Sequence, residues 1–183
     1  GTFGECGILS FNGNKVMTTG GGGAILFNDD ALADRAKYLS TTAKRPHKWE
    51  FFHDEMGYNY RMPALNAAMG CAQMEKLPKM LEQKRALAKR YAAAFKGAEG
   101  LRFLEEPAGC QSNYWLNTLV LDEASVDQRD DLLEATNSQN IMTRPVWTPL
   151  HLLPMFADCP RMSLEVTDAV MHRIINIPST AGL

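Results

Sequence analysis

The chain lacks a strong excess of either charge. Its 19 Lys and Arg stand against 21 Asp and Glu, for a net charge of -2. Composition therefore supplies no electrostatic footprint for nucleic acid, and the basic groups Lys44, Arg45, Lys48 and Lys84, Arg85, Lys89, Arg90 read as loop and helix-surface charge. Long apolar runs are missing. Stretches such as 7–11 and 24–27 are too short to cross a bilayer, and no basic-then-apolar segment opens the chain, so the cytoplasm is the expected compartment. Cysteine is sparse: Cys6, Cys71, Cys110 and Cys159 form no CxxC pair and interleave with no histidine, which argues against a zinc site or a disulfide framework. Repeats and low-complexity tracts are also absent. What is present is an ordinary globular composition, 183 residues with 45% hydrophobic and 22% charged, enough to bury a core.

The most informative segment is Ser10-Phe11-Asn12-Gly13-Asn14-Lys15, followed by Thr18-Thr19-Gly20-Gly21-Gly22-Gly23. It sets one lysine after an apolar strand and beside a glycine-rich bend. Burial there disfavours the ammonium form and yields an amine able to attack a carbonyl. The Ser10 hydroxyl and the backbone N–H groups of the glycine run suit a phosphate. This is not a nucleotide P-loop, whose lysine follows the glycines and precedes Ser or Thr, whereas Lys15 comes first and Val16 follows it.

Strands are expected over 5–11 and 23–27, then a helix over 31–42 capped by Asn28-Asp29-Asp30. Residues 43–62 form an irregular loop rich in aromatic, charged and histidine residues. Pro63 marks a helix start, Pro78 divides that helix from a second one, and Gly97 to Gly100 end the pair. The pair reads either as a connector between domains or as two helices of one bundle. Beyond it, strands at 101–104, 114–121 and 141–147, a helix opened by a Ser125-Val126-Asp127-Gln128 capping box, a helix over 164–174 and an extended tail predict a small α+β domain with a mixed or antiparallel sheet. The domain boundaries expected are 1–62, 63–97 and 98–183. The opening Gly1-Thr2-Phe3-Gly4-Glu5 leads straight into a strand, as in a chain that begins within a fold.

The lysine motif, Gly57-Tyr58-Asn59-Tyr60-Arg61-Met62, and Thr143-Arg144-Pro145 with Pro149-Leu150-His151 together resemble the DegT/DnrJ/StrS family of nucleotide-sugar aminotransferases over nearly the whole chain. The resemblance implies an α/β class, the type I pyridoxal-phosphate transferase fold of the aspartate aminotransferase kind. Here it is partial: the end of the cofactor domain, connector helices and the small domain. It implies pyridoxal 5'-phosphate as cofactor, with Lys15 binding its aldehyde covalently, Ser10 binding its phosphate, and Asn59 reaching the phosphate held by a neighbouring subunit, hence a homodimer with shared sites. Some relatives carry histidine at the lysine position and dehydrate, so Lys15 favours amino transfer. The aspartate that pairs with the pyridine nitrogen, the ring-stacking aromatic residue and further phosphate donors have no counterpart before Lys15.

The resemblance points further to C-4 amination of a UDP-linked 4-keto-6-deoxy-N-acetylhexosamine with glutamate as donor, in surface-polysaccharide biosynthesis. The alternative is a catalytically incomplete fragment or homologue acting as a dimerisation or regulatory module. Arg61, Arg144 and His151 are candidate substrate-binding residues; no metal site is expected. The planar donor fork of Arg144 suits the glutamate carboxylate, a sugar pyrophosphate, or a salt bridge at a strand end. His53 and His151 lie in loops with no carboxylate at a persuasive spacing.

Overall fold

The computed structural model describes residues 3–182. The chain divides into two compact units, Gly1–Pro78 and Lys79–Leu183.

In the first unit β1 (Cys6–Ser10) and β2 (Gly23–Phe27) pair antiparallel, with Ser10 opposite Gly23. The hairpin has apolar residues on both faces, since the neighbours Ile8 and Leu9, and again Ile25 and Leu26, point to opposite sides. All four are exposed. Helix α1 (Asp30–Ser40) follows, capped by Asp29, whose carboxylate accepts from Leu32 N at 3.0 Å. This cap satisfies one orphan donor and places negative charge at the positive end of the helix dipole.

Helix α2 (Ala64–Ala94) is continuous through Pro78. Two helices separated at that residue are not formed. Proline removes one backbone donor and crowds the carbonyl four residues earlier, at a cost of about 3 kcal/mol. The helix is held on each side of it. Before Pro78, Asn66 Nδ2 donates to Thr19 O, and buried Gly70 lies against Thr19, where a Cβ would stand 3.0 Å from the threonine methyl. After Pro78, Lys84, Leu87 and Ala88 are buried.

The second unit is an antiparallel sheet in the order β3-β4-β6-β5, formed by β3 (Leu101–Phe103), β4 (Asn117–Leu121), β6 (Ile174–Ile177) and β5 (Arg144–Pro145). Ala88 packs with Phe103, Leu119, Leu121, Ile175 and Ile177, and Tyr91, Phe95, Leu132 and Leu133 close round them. Full burial of one such Leu or Ile contributes about 1.5–3 kcal/mol, and this sheet face is the main core of the unit.

Several elements depart from the sequence expectation. The capping box at Ser125 does not open a helix; a 3-10 turn, Glu123–Gln128, leads into α3 (Arg129–Ser138) without a side-chain cap. Ser125 Oγ instead lies against Gly100, 2.7 Å from where a Cβ on that residue would stand. The strand expected over 141–147 shrinks to two residues, because Pro145 cannot donate to a ladder and sits on the edge strand. The strand expected from residue 114 begins at Asn117, since Tyr114 adopts φ 45°. The last helix, α4 (Glu165–Met171), stops early, and the β-branched run Ile174-Ile175-Asn176-Ile177 becomes a central strand.

Candidate functional site

Lys15 lies in the turn joining β1 to β2 and is half-buried, less enclosed than a desolvated amine would be. The turn is built by its own backbone. Lys15 N donates to Asn12 O at 3.0 Å, Thr19 N to Phe11 O at 3.0 Å and Phe11 N to Gly22 O at 2.9 Å. Thr18 and Thr19 then hold the glycine run: Thr18 Oγ1 donates to Phe11 O at 3.1 Å and accepts from Gly20 N at 2.9 Å, while Thr19 Oγ1 donates to Gly21 O at 2.5 Å. Gly20 and Gly22 have φ of 80° and 116°, a region that favours glycine. A Cβ at Gly21 would meet nothing within 4 Å, so the backbone there is open to a ligand. Ser10 closes the turn on its other side, exposed at the end of β1, with Oγ accepting from Asn12 N at 3.5 Å. Asn12 thus links Ser10 to Lys15.

The loop after α1 is folded back on it. Tyr58 N donates to Leu39 O at 2.7 Å, Tyr60 N to Ser40 O at 2.9 Å and Thr42 N to Tyr58 O at 2.9 Å. Single antiparallel bridges pair Thr41 with Asn59 and Lys44 with His53. Ala43, fully buried, turns at φ 48° against Gly57, where a Cβ would collide with the backbone of Thr42 and Ala43. An ionic net completes the fold: Arg35 pairs with Glu55, and Asp54 accepts from Tyr38 and from Arg45 Nε at 2.5 Å. The Tyr38 hydroxyl and then Arg45 hold the Asp54 carboxyl below its ordinary range. This net has no simple sequence signal, because its partners stand 9 to 20 residues apart. The bridge to Thr41 holds the backbone of Asn59, while the side chains of Asn59, Arg61, Trp49, Phe51 and Phe52 stay exposed.

Ser10, Lys15, Asn59 and Arg61 belong to the first unit, Arg144 and His151 to the second. Among the described residues Arg144 forms no salt bridge. Its Nη1 donates to Asn137 Oδ1 and to Thr143 O, each at 2.7 Å. His151 does have a carboxylate, contrary to the sequence expectation: Nε2 lies 2.8 Å from Asp168 Oδ1, 17 residues away on α4. His53 meets Thr42 O through Nδ1 at 2.7 Å. All four cysteines are free and exposed. No helix among the described residues is long and apolar enough to cross a membrane.

The sequence model of the DegT/DnrJ/EryC1/StrS aminotransferase family matches residues 1–183. EpsN of Bacillus subtilis (strain 168), assigned by name to the pyridoxal phosphate-dependent aminotransferases, is 41% identical over the whole chain, which spans 47% of EpsN. The GDP-perosamine synthase of Vibrio cholerae is 35% identical, again over the whole chain and over 50% of the synthase. Among solved structures the aminotransferase TlmJ from Streptoalloteichus hindustanus superposes with a TM-score of 0.91 at 28% identity, covering 100% of this chain and 49% of TlmJ. The chain therefore spans about half the length of the relatives it matches, and its fold is part of a type I pyridoxal-phosphate transferase.

Proposed function

This chain belongs to the DegT/DnrJ/EryC1/StrS aminotransferase family, and from that membership we propose that it is the lysine-bearing part of an enzyme that moves an amino group onto a nucleotide-linked keto-deoxy sugar. The observation that carries the reading is the turn at Lys15: a half-buried primary amine, a serine hydroxyl on the other side of Asn12, and a glycine run whose backbone is open at Gly21.

Pyridoxal phosphate is the cofactor of this family. The residues present fit part of it: Lys15 would supply the amine for its aldehyde, and Ser10 with the N–H of Gly21 would supply phosphate donors. When bound, the cofactor provides a ring that withdraws electrons from the carbon losing its proton. The chain's own contribution is to hold the amine at Lys15 Nζ, where it can accept and return a proton, and to fix Asn59 on the loop folded against α1. Asn59 serves the site of a second copy in this reading, through an isologous dimer in which each loop is donated to the partner. Mixing Lys15→Ala protomers with Asn59→Ala protomers should then restore one working site per mixed dimer.

The finer assignment is amination at C-4 of a UDP-linked 4-keto-6-deoxy-N-acetylhexosamine with glutamate as donor. The relatives named GDP-perosamine synthase support a nucleotide-linked sugar and leave the base to experiment. Assaying the full-length protein with glutamate against UDP-linked and GDP-linked 4-keto-6-deoxy sugars tests it. An amino sugar product from the UDP substrate is expected; preference for the GDP substrate overturns the finer assignment, and no product from either overturns the coarser one.

A further inference from the structure

Of all the asparagines in the chain, only Asn12 is followed by glycine. Asn12 and Gly13 are both exposed, in the turn that Lys15 N closes on Asn12 O at 3.0 Å. The Asn12 side chain makes one long bond, Nδ2 to Asn14 Oδ1 at 3.4 Å, and among the described residues no hydrogen bond engages the Gly13 N–H. A Cβ on Gly13 would meet only Gly20 O, 3.9 Å away, so the space beside it is open. Asn137, which precedes Ser138, is the contrast. It sits within α3, and its Nδ2 donates to Leu133 O at 2.8 Å, to Thr143 Oγ1 at 2.9 Å and to Thr143 O at 3.1 Å.

The amide carbon of an asparagine is electrophilic, and the backbone nitrogen of the next residue closes a five-membered ring when it bonds to that carbon. Two things ordinarily prevent this: hydrogen bonds that hold the backbone N–H and the side-chain amide, and a Cβ on the following residue that crowds the approach. Asn137 has both protections, whereas the Asn12-Gly13 pair has only the long bond to Asn14. We propose that Asn12-Gly13 is a self-modification site, at which the chain deamidates and thereby disables the Lys15 turn. Gly13 N gives its proton to solvent and bonds to Asn12 Cγ; the Cγ–Nδ2 bond breaks, and Nδ2 takes up a proton and leaves as ammonia. Water then opens the ring. Opening at Cγ yields aspartate, and opening at the α-carbonyl yields isoaspartate, whose main chain runs through Cγ and whose free carboxylate replaces the Asn12 carbonyl. Either product adds a negative charge to the turn. Asn12 N donates to Ser10 Oγ and Asn12 O accepts from Lys15 N, so the charge arises between the phosphate donor and the amine. It repels a phosphate there, and isoaspartate also lengthens the turn that Lys15 N closes. The effect on the cofactor rests on the reading of the Lys15 turn above; the deamidation does not.

Ageing the full-length protein in isotopically heavy water at neutral and mildly alkaline pH, followed by peptide mapping and titration with pyridoxal phosphate, tests the proposal. The peptide carrying Asn12 should incorporate heavy oxygen from the water and split into aspartate and isoaspartate forms. Conversion should be faster at the higher pH, because the attack needs Gly13 N to lose its proton, and Asn137 should stay intact. Gly13→Ala, whose methyl fits beside Gly20 O, should convert several-fold more slowly. Freshly prepared wild type should bind pyridoxal phosphate, and the converted fraction should bind it about tenfold more weakly, as a like charge beside the phosphate requires. Gly13→Ala aged alongside should keep the affinity of its fresh sample. An intact Asn12 after ageing, converted protein that binds as tightly as fresh protein, or an equal loss of affinity in Gly13→Ala overturns the proposal and leaves the cofactor reading standing. Fresh wild type that binds no pyridoxal phosphate overturns both.

Discussion

Asn66 Nδ2 donates to Thr19 O at 2.6 Å, joining the first turn of α2 to the glycine run beside Lys15. Thr19 is 1% exposed, so its carbonyl has little water to turn to if that donor is removed. Asn66→Ala should therefore loosen the run by about 1 kcal/mol, the usual net value of such a bond. Amide hydrogen exchange at Gly20 to Gly22 should accelerate about fivefold. Unchanged exchange there would mean that Thr18 and Thr19 hold the run unaided.

Glu106 predicts the acid limb of stability in the second unit. Arg85 donates to it twice, Nη2 to Oε1 at 2.5 Å and Nη1 to Oε2 at 2.9 Å, and Ser112 N donates to Oε2 at 2.5 Å. The Arg85 guanidinium first, and then the Ser112 amide, hold the Glu106 carboxyl down to about 2. The unfolded chain takes up this proton at a higher pH, so the contribution is complete above about 4.5 and disappears as the pH falls towards 2. Urea unfolding midpoints of the wild type should drop across that window more than those of Glu106→Gln. Parallel curves would assign the acid limb to other groups.

Lys84 predicts the alkaline limb, with the same proton balance in a higher window. It is 5% exposed and, among the described residues, donates to two carbonyls, Trp115 O at 3.3 Å and Ser179 O. Burial pushes its ammonium below the ordinary lysine range. Between that lowered value and the unfolded one near 10.5 the unfolded chain binds the extra proton, so wild-type stability should rise with pH there. Lys84→Met should lack this rise. At neutral pH the variant should be destabilised by about 1 kcal/mol, because two partly buried carbonyls lose their donor. A variant as stable as wild type at pH 7, with the same alkaline slope, would contradict this account of Lys84.

Local patterns made much of the fold legible. The two strands flanking Lys15, the Asp29 cap and the strand at Leu101 follow from apolar runs, turn residues and capping chemistry within a few positions. Elements decided by distant partners were not legible. Pro78 reads as a helix break until the anchors on both sides of it are known, and Ser125 reads as a cap until Gly100 is seen to lie against it. The site divides in the same way. Ser10 and Lys15 share one turn and are visible as a motif, whereas Asp168 beside His151, Asn137 beside Arg144 and the stacking of Trp115 on Trp147 join residues 7 to 32 positions apart, beyond any sequence periodicity.

The central claim is that Lys15 carries the cofactor, and borohydride reduction of the full-length protein with pyridoxal phosphate, followed by peptide mapping, tests it most directly. The pyridoxyl group should be fixed on Lys15, and Lys15→Ala should lose both the label and amino transfer. A label on any other lysine, or turnover that survives in Lys15→Ala, would contradict the account.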